Sequence, residues 1–368
     1  MLDSFLKYLA RTLQRKANPE AIREHLRAKG MRRTSNLEHV DPAAVRVAAV
    51  QEELRVLKTY RRYADRMVGF VARAAEAGAQ LVCFPEENGL LLLGQLPLID
   101  PILRLATRSR SKSPAEAAPA EAPPVDPRSS AWDLPEASDG LNVAHMLSFF
   151  TPFLRAAFET TFSELAKGFG VYIMAGSCLL VEDGQLFNRA YLFGPGGELV
   201  GVQDKAHPID LEMSIGLTPA RELKTYATGL GRLAFPVCMD ATYFETFKIL
   251  RAQGAQMVVI PIANLEPFQH YWSLRGIWPR VQENAVYGIK SALVGRLYGL
   301  EFTGKAGVYA PLDLTPDRSG VLAQAQTYDR DELVVADLDL TKLDSYHCDY
   351  FDDSNPALYR RYFPEIYG

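Results

Sequence analysis

The chain reads as an α/β fold in which a mixed, at least partly parallel sheet is sandwiched under helices. Three observations lead there. Short β-branched apolar runs alternate with longer amphipathic stretches. A strand, helix, strand unit is complete between Val45 and Phe84, within about 40 residues, and such units make parallel pairs. Hairpin signals then interrupt the middle of the chain, which brings in antiparallel pairing.

In chain order, residues 1–44 form an N-terminal helical extension. Leu2, Phe5, Leu6, Leu9 and Leu13 share one helical face, opposite Lys7, Arg11, Arg15 and Lys16. A second helix is expected from Pro19 to Lys29, capped by Asn18. With nine Lys and Arg to five Asp and Glu, the extension is basic. Packing on its own domain is the favoured reading, and peripheral membrane contact by residues 1–16 is the weaker one. Val45–Val50 is a first core strand, Tyr60–Ala77 a helix stopped by Gly78, and Gln80–Phe84 a second strand. Residues 107–138 turn Ser-, Arg-, Ala- and Pro-rich and read as a flexible insertion.

Helix resumes near Asn142 and runs to Lys167, ahead of a strand at Val171–Gly176. Cys178–Val181 and Asn188–Phe193 flank Glu182-Asp-Gly184 as a hairpin. Strands follow at Glu198–Gln203, Leu233–Val237 and Ala255–Ile260, with a helix at Tyr243–Leu250 between the last two. A helix at Trp272–Asn284 and strands at Tyr287–Val294, Val308–Ala310 and Glu332–Asp337 complete a domain spanning 45–340. The aromatic-rich tail, 341–368, reads as a docking or dimer contact.

At 368 residues, 48% apolar and 23% charged, this is globular composition. A net charge of −4, with no basic stripe interleaved with aromatics, points away from nucleic acid. Cys83, Cys178, Cys238 and Cys348 are widely separated, which fits neither a disulfide framework nor a metal site. No apolar run reaches the roughly 20 residues of a membrane span, and the N-terminus lacks a secretory core. A cytoplasmic protein is expected.

Three polar residues end three buried runs: Glu86, Lys205 and Cys238. Ligands of α/β folds sit at the carboxyl ends of strands, so convergence on one pocket is plausible chemistry. A thiolate attacks a carbonyl or nitrile carbon, a carboxylate takes the thiol proton, and an ammonium stabilises the anion that develops. A lysine beside the thiol also favours its ionised form. Taken singly, each of these residues is as well explained by structure, Cys238 as a buried thiol above all.

The motifs resemble, in order and spacing, those of the carbon–nitrogen hydrolase (nitrilase) superfamily, in its amidase-like branch. Phe84-Pro85-Glu86 is similar to the family's glutamate motif, Lys205-Ala-His207 to its lysine motif, and Cys238-Met-Asp240 to its nucleophile motif. Arg280-Val-Gln-Glu283-Asn284 matches a following helix segment, and Gly304-Lys-Ala306-Gly-Val308 a late strand where serine is more usual than Ala306. Thr242 and Phe244 depart from the arginine and proline of many amidases.

The resemblance implies a four-layer αββα sandwich of nitrilase type with mixed sheets, assembled as a homodimer or higher homo-oligomer. It implies Cys238 as nucleophile, Glu86 as base, and Lys205 with the Met239 backbone N–H as oxyanion donors. Glu212 is implied as a supporting carboxylate, and no cofactor or metal is needed. The substrate would be a small-molecule amide, alternatively a nitrile. A catalytically silent partner-binding protein of the same fold is the rival from another class. Tyr243, Asn264, His270 and Trp272 are candidates for the substrate pocket, His207 for orienting the lysine loop.

Overall fold

The computed structural model describes residues 2–34, 37, 39–95, 143–297, 300–346 and 355–367. The expected insertion at 107–138 and Cys348 lie outside them. The chain opens with helices α1 (Leu2–Lys16) and α2 (Pro19–Arg27). Asn18 caps α2 by accepting the Ala21 N–H at 2.9 Å, and Pro19 occupies the first turn, where a missing N–H costs nothing. Ala10, Leu13, Ala17, Ile22 and Leu26 are buried in the same core as the sheet. The extension therefore packs on its own domain.

Next come β1 (Val45–Glu53), α3 (Tyr60–Glu76), β2 (Leu81–Cys83) and α4 (Val143–Phe169). They are followed by β3 (Tyr172–Glu182), β4 (Gln185–Phe193), β5 (Leu199–Asp204), α5 (Asp210–Ser214), β6 (Tyr226–Thr228) and β7 (Gly231–Ala234). A helical turn at Cys238–Thr242 leads into α6 (Phe244–Ala252), β8 (Met257–Ile262), α7 (His270–Leu274) and α8 (Trp278–Asn284). The rest is β9 (Tyr287–Leu297), β10 (Leu300–Phe302), β11 (Gly307–Tyr309), β12 (Val321–Gln324), β13 (Glu332–Leu338), α9 (Leu340–Ser345) and α10 (Pro356–Tyr367). No helix among the described residues is long and apolar enough to cross a membrane.

Two departures from the expected elements have clear causes. Val171–Gly176 and Cys178–Val181 are one strand, β3, carried through a register shift between Met174 and Ser177. The expected helix Trp272–Asn284 is split, because Ile277 leaves helical geometry (φ −130°, ψ −49°) and Pro279 starts a new helix. β6, β10 and β12, of three or four residues each, were too short to show a period in the sequence.

The pairings resolve into two sheets. One runs β13-β1-β2-β3-β4-β5, parallel from β1 to β3 and antiparallel at both flanks. The other runs β6-β7-β8-β9-β11-β12, parallel from β7 to β9. They join where Gln51–Glu53 of β1 pairs with Ala292–Val294 of β9.

Side-chain alternation then builds the layers. Val45, Val47 and Ala49 of β1 face Met257 and Val259 of β8 across the core between the sheets. Ala48 and Val50 point the other way, onto α3 and α4, while Val258 and Ile260 pack under Phe247 of α6 and Val281 of α8. The result is helices, sheet, sheet, helices. Each fully buried Val, Ile, Met or Phe among them contributes roughly 1.5–3 kcal/mol.

Candidate active site

Glu86 lies three residues past β2, Lys205 directly follows β5, and Cys238 opens the turn beyond β7. Two groups thus come from one sheet and the third from the other. All three line a single cavity of about 610 Å³.

The glutamate is placed by the irregularity in β3. Gly176 has φ +74°, and a Cβ built there would stand 1.9 Å from the Pro85 carbonyl oxygen, so only glycine lets the Pro85-Glu86 loop pass. Asn88 secures the loop by donating Nδ2 to the Ala175 carbonyl at 3.1 Å, and Glu87 N–H donates to Ser177 Oγ at 2.9 Å.

Cys238 sits in the left-handed region, at φ +47°. For a residue with a side chain this costs on the order of 1–3 kcal/mol and persists only where neighbours impose it. Asp240 imposes it. Fully buried, it accepts from Val237 N–H at 2.8 Å on its own turn. It also accepts from Ala206 N–H, from His207 N–H at 2.7 Å and from His207 Nδ1 at 2.9 Å on the lysine loop. One carboxylate therefore clamps the cysteine turn to the loop that carries Lys205. His207 orients that loop, and its ring stacks on Tyr243 at 4.2 Å. Arg280 supports the turn from α8 through the Thr242 carbonyl at 3.0 Å.

At the centre, Lys205 Nζ donates to Glu86 Oε1 at 2.9 Å and to Glu212 Oε1 at 2.8 Å. Asn188 of β4 donates Nδ2 to the same two oxygens, at 2.9 and 3.3 Å. Glu212 is held in turn by the Ile209 N–H at 2.8 Å. Cys238, half-buried, points Sγ at Asn264 Oδ1, 3.5 Å away, and interacts with the Glu86 carboxyl.

Burial acts to lower the Lys205 pKa, but Glu86, Cys238 and Glu212 outweigh it and hold the ammonium well above its usual range. Burial, reinforced by Glu212, pushes Glu86 up against the pull of Lys205. Burial and the neighbouring Glu86 likewise raise the Cys238 thiol, and Lys205 only partly offsets them. The resting group is thus a thiol. Lys205 does favour the thiolate, as expected, but its charge is shared between two carboxylates and does not outweigh burial and Glu86.

Of the expected supporting residues, Glu212 and Met239 line the cavity, as do Tyr243, Asn264 and Trp272. His270 does not. It lies two residues from Trp272 on α7, about 200° around the helix, and is exposed against Tyr271. Sequence reasoning missed Asn188, which carries no local signal because it is one polar position in a hairpin strand. It also missed Glu87 as a second carboxyl in the lining; burial and Glu86 push its pKa up to about 8. Lys290 of β9, another lining residue, was missed too. Among the described residues, no cluster of three or more His, Cys, Asp or Glu could hold a metal ion.

The model of the carbon-nitrogen hydrolase family matches residues 46–347. "Probable hydrolase YhcX" of Bacillus subtilis is 24% identical over 302 residues, which are 80% of this chain and 50% of that protein. Omega-amidase NIT2 of Homo sapiens is 30% identical over 192 residues, 49% of this chain and 66% of its own length. The chain thus spans about half to two thirds of these curated relatives. Among solved structures, a variant of the amidase from Nesterenkonia sp. AN1 shows covalent addition of the acetamide moiety of fluoroacetamide at its active-site cysteine. It superposes with a TM-score of 0.60 at 20% identity, covering 88% of this chain and 99% of that one, a likeness of fold.

Proposed function

Because the chain belongs to the carbon–nitrogen hydrolase family, we propose that it hydrolyses small amides through a thioester on Cys238. One observation carries the reading: a buried Lys205 gripping Glu86 and Glu212 at 2.9 and 2.8 Å, beside a cysteine held in left-handed geometry on the same cavity. The amidase names of the relatives support the same chemistry.

With the thiol protonated at rest, Glu86 takes the Sγ proton as Sγ bonds to the amide carbon. The carbonyl π electrons move to oxygen, where Lys205 Nζ and the Met239 backbone N–H receive the negative charge. Met239 lies in the first turn after Cys238, where backbone N–H groups lack partners within the turn. The protonated Glu86 then gives its proton to the leaving nitrogen as the C–N bond breaks. Once ammonia or an amine has left, Glu86 deprotonates a water that attacks the thioester, the C–S bond breaks, and the proton returns to sulfur. Glu212 and Asn188 hold Lys205 and Glu86 in place throughout. Their burial means the charges need little rearrangement as the reaction proceeds.

The test is intact-mass detection of a Cys238 adduct with iodoacetamide, combined with ammonia release from a panel of small amides and their nitriles. Cys238→Ala should lose both adduct and turnover. A variant that still released ammonia at the parent's rate would overturn the mechanism, and turnover of nitriles alone would reassign the substrate.

A further inference from the structure

Ser291 of β9 places a hydroxyl where its neighbours are apolar. It is fully buried, and Ile289, two residues earlier, lies in the core between the two sheets. Side chains alternate along a strand, so Ser291 stands on that same inner face. A hydroxyl without a partner would be costly there. Ser291 Oγ instead donates to the Phe84 carbonyl at 2.7 Å. Phe84 follows directly on β2 of the first sheet and stands two residues before Glu86. Pro85, next in the chain, has no N–H with which to add a further backbone donor at this point.

The other bonds described for the glutamate loop come from its own sheet. Phe84 N–H donates to the Met174 carbonyl at 2.8 Å, Asn88 reaches the Ala175 carbonyl, and Glu87 N–H reaches Ser177 Oγ, all on β3. The Glu86 carboxyl is gripped by Asn188 of β4 and by Lys205 beyond β5. These contacts fix Glu86 against Lys205, and none of them reaches the cysteine's sheet. Cys238 follows β7, which pairs with β8, and β8 pairs with β9, the strand that carries Ser291. The Ser291 hydroxyl therefore links the cysteine's sheet to the backbone that carries the glutamate. It complements Asp240, which ties the cysteine turn to the lysine loop.

We propose that Ser291 is a positioning residue for the proton exchange between Cys238 and Glu86, its bond to the Phe84 carbonyl setting the separation of thiol and carboxyl across the two sheets. The proposal rests on the reading of Cys238 as nucleophile and Glu86 as base. Proton transfer needs the two heavy atoms within hydrogen-bond reach, and a shift of about 1 Å in such a pair costs on the order of 100-fold in rate. Substrate binding does not depend on that separation, so the loss falls on kcat. A hydroxyl that only stabilised the fold would leave the kcat of the folded protein where it was.

The test compares Ser291→Ala, which deletes the donor, with Ser291→Thr, which keeps it, in the full chain. With a small amide that the wild-type protein hydrolyses, Ser291→Ala should lower kcat about 10- to 100-fold with KM within about twofold. Ser291→Thr should keep kcat within about threefold of wild type. A kcat for Ser291→Ala within twofold of wild type overturns the proposal, whatever happens to the melting temperature. So does an equal loss in the Thr variant when its melting temperature matches wild type. Ser291→Cys, close in size and a weak donor, should fall between the two, and its kcat decides in the same way if Ser291→Ala fails to fold. Alkylation of Cys238 by iodoacetamide at pH 8 gives a readout without turnover. Glu86 beside the sulfur holds the proton on it, so Ser291→Ala should be alkylated about threefold faster or more, and Ser291→Thr at the wild-type rate. An unchanged rate in Ser291→Ala overturns the link. A faster rate in a protein that hydrolyses no amide keeps the link and overturns the hydrolase reading.

Discussion

Lys205 and Lys290 line one cavity, and both are almost completely buried, at 2% and 3% exposure. Their surroundings are opposite. Lys205 meets Glu86 and Glu212 and is held firmly protonated, whereas burial with no carboxylate partner among the described residues pulls Lys290 down to about 7. The same side chain is a fixed charge in one place and, in the other, a charge the fold can scarcely keep. Burial alone does not decide what a lysine does; the oxygens around it do.

The contrast can be broken most forcefully at Lys205. Lys205→Met leaves two buried carboxylates without a counter-charge, so turnover should fall at least about 10²–10³-fold. Unfolding free energy should fall by about 3–5 kcal/mol, read by denaturant titration. A fold as stable as wild type would mean that the lysine does not balance those carboxylates.

The same substitution at Lys290 should do the reverse to stability, because it removes a buried ammonium whose desolvation no carboxylate among the described residues offsets. The sign follows from linkage. Lys290 has a folded pKa of about 7 against a reference of 10.5, so burying its charge costs the fold most below pH 7. That penalty shrinks as pH rises from 7 and is gone above the unfolded value. Lys290→Met should therefore show its largest gain in melting temperature at pH 6 and lose most of it by about pH 10. An advantage that stays constant over this range would place an undetected partner on Lys290.

Asp240→Asn probes how the paired side of the cavity is held. One acceptor oxygen cannot serve Val237, Ala206 and both His207 groups. A loss of about 1–3 kcal/mol in stability is expected, with a kcat fall of about 10²-fold from misplacing Lys205 against Cys238. The smallest effect belongs to Glu87, whose pKa is raised to about 8 by burial and by Glu86. Near pH 7 it is largely protonated, so Glu87→Gln should change kcat/KM by less than about threefold. Above pH 8 the wild-type residue ionises beside Glu86, so the wild type should lose activity on this limb and the variant should keep more of it. Identical alkaline limbs would remove Glu87 from the electrostatics of the site.

Much of this was legible from residue order. Glu86, Lys205 and Cys238 each end a buried run bounded by turn residues, and strand ends are where an α/β fold exposes polar groups. Asn18 marked the start of α2 because capping is local chemistry. His270 was misassigned because the sequence does not show which way an exposed five-residue helix faces. Asn188 and Lys290 were overlooked for a different reason. Each becomes notable only through partners brought from elsewhere: Glu86, 102 positions from Asn188, and Ser273, 17 positions from Lys290.

By itself the sequence determined most of the longer elements and their order, because hydrophobic period, caps and turn residues act over a few positions. It also singled out Glu86, Lys205 and Cys238, the three strand-end groups that line one cavity. Only the tertiary structure decided that Lys205 shares its charge between two carboxylates, that Cys238 rests as a thiol, and that Lys290 faces the cavity without an anion. Those are questions of distance and burial between segments far apart in the chain, and electrostatic energies depend on both far more steeply than on residue type.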